Sequence, residues 1–285
     1  MSAGTLAWPA WILAASPAVP EFSFVVVSDT HLGRDDREDA AVLWKKTAGE
    51  IEKTAGDFVL HLGDVVDAGR EPQYAVYKYI RKTITKPVYE IPGNHDRPEH
   101  FARHIREAVD THFDHRGVRF LLLNDSRYGD IDGYLTENQL RWLGRQMDDA
   151  ASRGLWMVLC LHVTAHDNRL PEAGAFMKPA GGQKELYGFV DRHRARVLAM
   201  LHGHFHCGLR GWNDRAPVQE IVFPSALYNR NQLLTQMKAP GYNLPEFRPG
   251  FTTVTFNKDG MALRYKPVGV DAAATKDLPI ADNRR

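Results

Sequence analysis

The sequence predicts an α/β fold whose parallel strands carry chemistry at their ends. Three observations point there. Five apolar runs each stop at His, Asp or Asn. Stretches of helical apolar spacing lie between the first of these runs. The last third breaks into short strand-like runs with turn residues between them, which suggests a second sheet packed on the first.

In chain order, the run 22–27 leads into Asp29-Thr30-His31. Residues 36–53 set Ala40, Ala41, Leu43, Trp44 and Ile51 among charges and read as an amphipathic helix. The run 58–61 leads into Gly63-Asp64-Val65-Val66-Asp67, and 71–83 reads as a second helix. Residues 88–91 form the third strand and 99–109 the third helix. This βαβα order implies a parallel sheet with right-handed crossovers. Residues 119–124 are a strand, and 128–134, with Gly129 and Gly133, a turn or hairpin. Thr136 is a helix N-cap, Gly154 follows that helix, and the strand 156–161 ends at His162. Residues 163–183 lack any period and are rich in Gly, Pro and Ala, as expected of a substrate-facing lid. A short helix at 185–194 precedes the strand 197–201 and Gly203-His204-Phe205-His206. Strands follow at 221–223, 252–256 and 262–265. The expected organisation is an arm over 1–21, one domain over 22–270 and a polar tail over 271–285.

Composition narrows the function classes. Over 285 residues, 44% are apolar and 25% charged, the balance of a soluble globular protein. A net charge of +1 argues against a broad nucleic-acid or membrane surface. Two cysteines cannot make a disulfide framework; Cys160 reads as core and Cys207 as a small packed side chain. The apolar stretch 6–15 lacks a basic flank, is broken by Pro9 and is too short to span a bilayer. It reads as an arm whose Trp8 and Trp11 pack on the body or on another subunit, so a homo-oligomer stays open. Cytoplasmic location is expected, with export as the alternative if this stretch is a signal.

The chemistry centres on Ile91-Pro92-Gly93-Asn94-His95-Asp96, where proline and glycine force a turn at a strand end. Asp, His and Asn together suit Zn, Mn or Fe rather than Cu(I). A bridging carboxylate can hold two ions about 3.5–4 Å apart, and such pairs catalyse in-line displacement at phosphorus. The ions neutralise and orient the phosphate and turn water into hydroxide near neutral pH. His61 lies three residues before Asp64, so alternation points it to the opposite face. His202 also reads as structural. Arg34 and Arg97 follow motifs on site loops and suit either a phosphate or a surface ion pair.

The ordered set Asp29-x-His31, Gly63-Asp64-x-x-Asp67, Gly93-Asn94-His95-Asp96, His162 and Gly203-His204-x-His206 resembles the calcineurin-like metallophosphoesterase superfamily over residues 23–206. Its forms look most like the bacterial cyclic-nucleotide and glycerophosphodiester phosphodiesterase branch. The resemblance implies a four-layer αββα sandwich with two mixed sheets flanked by helices and a dinuclear metal site at the strand ends. It implies that Asp29, His31 and His206 bind one metal, that Asp64 bridges, and that Asn94, His162 and His204 complete the second. By the same resemblance His95 faces the phosphate as acid, Asp96 orients His95, and Asp67 holds a ligand in place. Many members have a second His and prolines directly after the fourth motif's histidine. Here the chain reads His162-Val163-Thr164-Ala165-His166. The ligand is assigned to His162, and His166 is either a substrate contact or a solvated loop residue.

The implied function is hydrolysis of a small-molecule phosphodiester by a metal-bound hydroxide, with two divalent ions (Mn, Fe or Zn). A phosphomonoesterase, a nuclease and a non-catalytic scaffold are the alternatives. The near-neutral charge counts against the nuclease, and His95 counts against the scaffold.

Overall fold

The computed structural model describes residues 18–34, 39–165, 181–213, 218–230, 245–271 and 273–279. The expected N-terminal arm up to residue 17, most of the expected lid and His166 lie outside them. The elements run β1 (Phe22–Val27), α1 (Ala40–Lys53), β2 (Val59–Leu62), α2 (Glu71–Arg81), β3 (Val88–Ile91), α3 (Pro98–His104), β4 (Thr111–His115) and β5 (Val118–Leu122). Then come α4 (Glu137–Ser152), β6 (Trp156–Cys160), α5 (Gln183–Arg192), β7 (Val197–His202), β8 (Glu220–Val222), β9 (Gly250–Asn257), β10 (Gly260–Pro267) and β11 (Ala274–Pro279).

Local chemistry sets the helix starts. Asp39 caps α1 by accepting from Ala41 N and Val42 N, so the helix begins later than the apolar spacing alone suggests. Thr136 and Gln139 form a reciprocal capping box at α4, Gln139 N donating to Thr136 Oγ1 and Thr136 N to Gln139 Oε1. The third helix is shorter than the expected 99–109. Beyond it, Arg106 Nη2 donates to Glu90 O instead of continuing the helix.

The strands form two sheets, ordered β11-β10-β9-β1-β2-β3 and β4-β5-β6-β7-β8. In the first, β1, β2 and β3 are parallel, while β9, β10 and β11 join antiparallel. In the second, β5 to β8 are parallel and β4 is an antiparallel edge. Phenylalanines fill the space between the sheets. Phe24 stacks on Phe58 at 5.0 Å, and Phe120 meets both edge-on at 5.3 and 5.1 Å. Trp44, Tyr74, Tyr77 and Phe101 cover the outer face of the first sheet from α1, α2 and α3. Leu143, Met147, Leu186 and Val190 cover the second from α4 and α5. The result is the αββα sandwich in four layers.

Two strands correct the sequence reading. β4 lies between α3 and β5 where none was expected. The tail expected over 271–285 contains β11, which pairs with β10 from Gly260↔Pro279 to Tyr265↔Ala274. Leu278 is the buried apolar side chain of β11, so pairing rather than burial pattern creates this edge. Among the described residues no helix is long and apolar enough to cross a membrane.

Candidate metal centre

The C-terminal ends of both sets of parallel strands meet, and their loops bond to one another. Asp29 N donates to Gly63 O at 2.9 Å, His31 N to Asp64 O at 3.0 Å and Gly203 N to His162 O at 3.0 Å. Six described non-glycine residues have positive φ, and five of them are site candidates: Asp29 (56°), His31 (40°), Asp64 (53°), His204 (74°) and His206 (50°). Each such residue costs about 1 kcal/mol or more and persists only where its surroundings over-determine it. Glycine permits the closest approaches. A Cβ at Gly93 would collide with the Asp64 carboxylate and backbone, and one at Gly63 with the His162 ring.

Three groups of donor atoms result among the described residues, the atoms of each lying within 4.8 Å of one another; one is His31, Asp67 and His95, and the other two share a carboxylate. The first of those two is Asp29, His31, Asp64 and His206; the second is Asp64, His162 and His204. Asp64 belongs to both.

The tautomers follow from each ring's other nitrogen. His31 Nδ1 lies 3.1 Å from Asp67 Oδ1, an acceptor, and His206 Nδ1 donates to Tyr228 O at 2.8 Å. Both Nε2 atoms therefore present lone pairs, and they face each other at 3.0 Å. His162 Nδ1 donates to Leu62 O at 2.6 Å, which turns its Nε2 to the site, 3.2 Å from His204 Nδ1 and 3.3 Å from Asp64 Oδ2, where it holds a proton or a metal ion. Among the described residues, Asn94 Oδ1 is buried without a hydrogen-bond partner. Converging lone pairs and an orphaned amide oxygen are what a cation would satisfy, and the donor set fits a divalent metal ion.

The electrostatics agree. Burial by itself would raise the Asp29 carboxyl, but His206 and other neighbours bring it below the usual carboxylate range. Burial is likewise outweighed at Asp64, where His162 and His31 lower the carboxyl. Burial would lower His162, yet Asp64 pushes it up to about 10. His204 is pushed down to about 3 by burial, with His162 adding to it. The ionised carboxylates thus sit in a buried, cation-seeking pocket.

Other residues fall as follows. His95 N donates to Asp64 Oδ1 at 2.8 Å, and its Nδ1 donates to Asp67 O at 2.6 Å. The expectation that Asp96 orients His95 is corrected. The Asp96 carboxylate accepts from Val65 N, Val66 N, Gly93 N and Tyr74 Oη at 2.9–3.2 Å. It therefore fastens the Asp64 and Asn94 turns together, and Asp67 is what fixes the His95 ring. Arg34 Nη1 donates to Asp67 Oδ1 at 3.2 Å and stacks over Tyr228. His61 bonds Thr30 Oγ1 and packs between Trp44 and Tyr77, on the helix side as alternation requires. His202 is buried beside Glu220.

Two supports escaped the sequence reading. Asp125 accepts the backbone N–H groups of His162 and Val163. Its signal was present, since it too follows an apolar strand. Asn229 bonds Ser225 N and Gly208 N and so shapes the turn whose Tyr228 carbonyl orients His206. The described ends of the expected lid are tied together, Gln183 Nε2 donating to Ala165 O at 2.7 Å.

Strand-end Asp and His donors gathered around one shared carboxylate, at the junction of two sheets, define a dinuclear metallophosphoesterase. The Calcineurin-like phosphoesterase family profile matches residues 22–208, well over half of the sequence, and the chain belongs to that family. It is 26% identical over 252 residues to the 3',5'-cyclic adenosine monophosphate phosphodiesterase CpdA of Pseudomonas aeruginosa, covering 83% of this chain and 86% of that protein. It is 28% identical over 162 residues to the glycerophosphodiester phosphodiesterase GpdQ of Enterobacter lignolyticus, covering 53% and 56% respectively. A dimetal phosphatase from Danio rerio shares the fold at 14% identity with a TM-score of 0.65, over 90% of this chain and 98% of that one.

Proposed function

We propose that the chain is a phosphodiesterase in which Asp29, His31 and His206 hold one divalent ion, Asn94, His162 and His204 hold a second, and Asp64 bridges them. The observation carrying this reading is the pair of Nε2 lone pairs of His31 and His206 at 3.0 Å, which only a proton or a metal ion would reconcile. Both curated relatives reported above are phosphodiesterases, which favours diesters over monoesters. When bound, the ions would neutralise the phosphate and activate water at neutral pH.

The chain's own groups do the rest. Asp67 holds both the His31 ring and the His95 ring. Donation from His95 Nδ1 to a carbonyl fixes that proton in place, so a ring that takes up a second proton carries it on Nε2. Nε2 gives that proton to the leaving oxygen as the P–O bond breaks.

The test starts from metal-free protein reconstituted separately with Mn, Zn, Fe, Co and Mg. Each form is assayed on bis-p-nitrophenyl phosphate, p-nitrophenyl phosphate, cyclic AMP and glycerophosphodiesters. Diesters should be preferred, with two ions per chain by elemental analysis. Asp64→Ala should lose both ions and His206→Ala mainly one. A monoester preference, or full activity with one ion, overturns the reading.

A further inference from the structure

Arg97 follows the Asn94-His95-Asp96 turn, and its guanidinium lies 4.3 Å from the centroid of the Tyr128 ring. Tyr128 belongs to the loop between β5 and α4. Its hydroxyl donates to Ala68 O at 3.2 Å, and the next residue, Gly129, donates its N–H to Asn94 O at 2.8 Å. Ala68 follows Asp67, whose carbonyl accepts from His95. The ring is therefore pinned one residue away from the ligand Asn94 and one residue away from the group that fixes His95. It nevertheless remains 41% exposed.

The chemistry of this pair is selective. With its hydroxyl proton committed to Ala68, Tyr128 cannot donate to a sugar or glycerol oxygen, and the ring is the larger surface it offers a ligand. The Arg97 charge over that ring opposes a second cation, such as a quaternary ammonium head group. A neutral, planar, electron-rich group suits both partners, because it can stack on an aromatic ring and on a guanidinium plane.

We propose that Tyr128 and Arg97 form the specificity wall of the site and receive a nucleobase, so that nucleoside phosphoesters are preferred over glycerol ones. The proposal rests on the phosphodiesterase reading above. The metal-loaded full chain is titrated calorimetrically with 5'-AMP and with ribose 5-phosphate, which share the phosphate and sugar and differ by the base. Base stacking is expected to favour AMP by about 5- to 150-fold. Tyr128→Ala should abolish that preference while leaving ribose 5-phosphate affinity and metal content unchanged. Tyr128→Phe should retain it. Equal wild-type affinities for the two ligands, including the case where neither binds, overturn the wall. So does an equal loss of both in Tyr128→Ala, which would make the ring a mere prop for Asn94. Hydrolysis of diesters in the substrate panel with no base preference in the titration would leave the phosphodiesterase reading standing and remove this one.

Discussion

Asp125 Oδ1 accepts the backbone N–H of His162 at 2.9 Å, and its Oδ2 accepts that of Val163 at 3.1 Å. The carboxyl is fully buried, and burial raises it above the usual carboxylate range. Its position makes it the clamp of His162, one proposed ligand, and not of the whole site. Asp125→Ala leaves two buried amides unmatched and lets the His162 ring tilt. Affinity for the ion proposed at Asn94, His162 and His204 should fall about 10–100-fold, the usual effect of losing a group that orients a ligand. The ion at Asp29, His31 and His206 should be retained. Equilibrium dialysis at controlled free metal, followed by elemental analysis, reads both sites. Equal loss at both would make Asp125 only a fold element.

What could be read ahead of the structure was local. The Thr136 cap, the face taken by His61 and the placing of Asp, His and Asn at strand ends all follow from spacing within a few residues. The role of Asp96 did not, because its partners Val65 and Val66 lie about 30 residues away and are backbone amides with no side-chain signature. Asp125 shows the same limit from the other side. Its strand-end position resembled that of Asp29, but its bonds go to the main chain of another strand. Edge strands were also hidden. In β11 the single buried apolar residue gives no alternation, and the hydrogen bonds to β10 make the strand. Tyr128 and Gly129 read as a turn, whereas their importance comes from reaching Ala68 and Asn94 across the chain.

The Asp114–Arg119 pair sets a pH dependence distant from the metal ligands. Arg119 is 1% exposed, and its Nε and Nη2 meet the two Asp114 oxygens at 2.7 and 3.0 Å. The hydrogen bond from Arg119 holds the Asp114 carboxyl below its ordinary value. A depressed folded-state value stabilises the fold above the unfolded value, about 3.9, and this stabilisation disappears as pH falls through the lower folded value. Metal-free wild type should therefore melt a few degrees above Asp114→Asn at pH 7, and the gap should narrow as pH falls below about 4. Melting curves of the two proteins across that range check it. A gap independent of pH would mean that the asparagine costs packing rather than charge.

In the proposed reaction His95 protonates the leaving group. Its Nδ1 is committed to Asp67 O, which leaves Nε2 to exchange a proton. The alkoxide of a ribose or glycerol leaving group is strongly basic and needs a proton as the bond breaks, whereas nitrophenolate is a weak base and needs little help. His95→Ala should keep both ions and hydrolyse such alkyl diesters about 10²–10⁴-fold more slowly, with a smaller loss on nitrophenyl esters. Single-turnover rates on both substrate types, alongside metal content, make the comparison. Equal losses would assign His95 to phosphate binding or charge stabilisation. Loss of an ion would make it a ligand, a role that its place within 4.8 Å of donor atoms of His31 and Asp67 would allow.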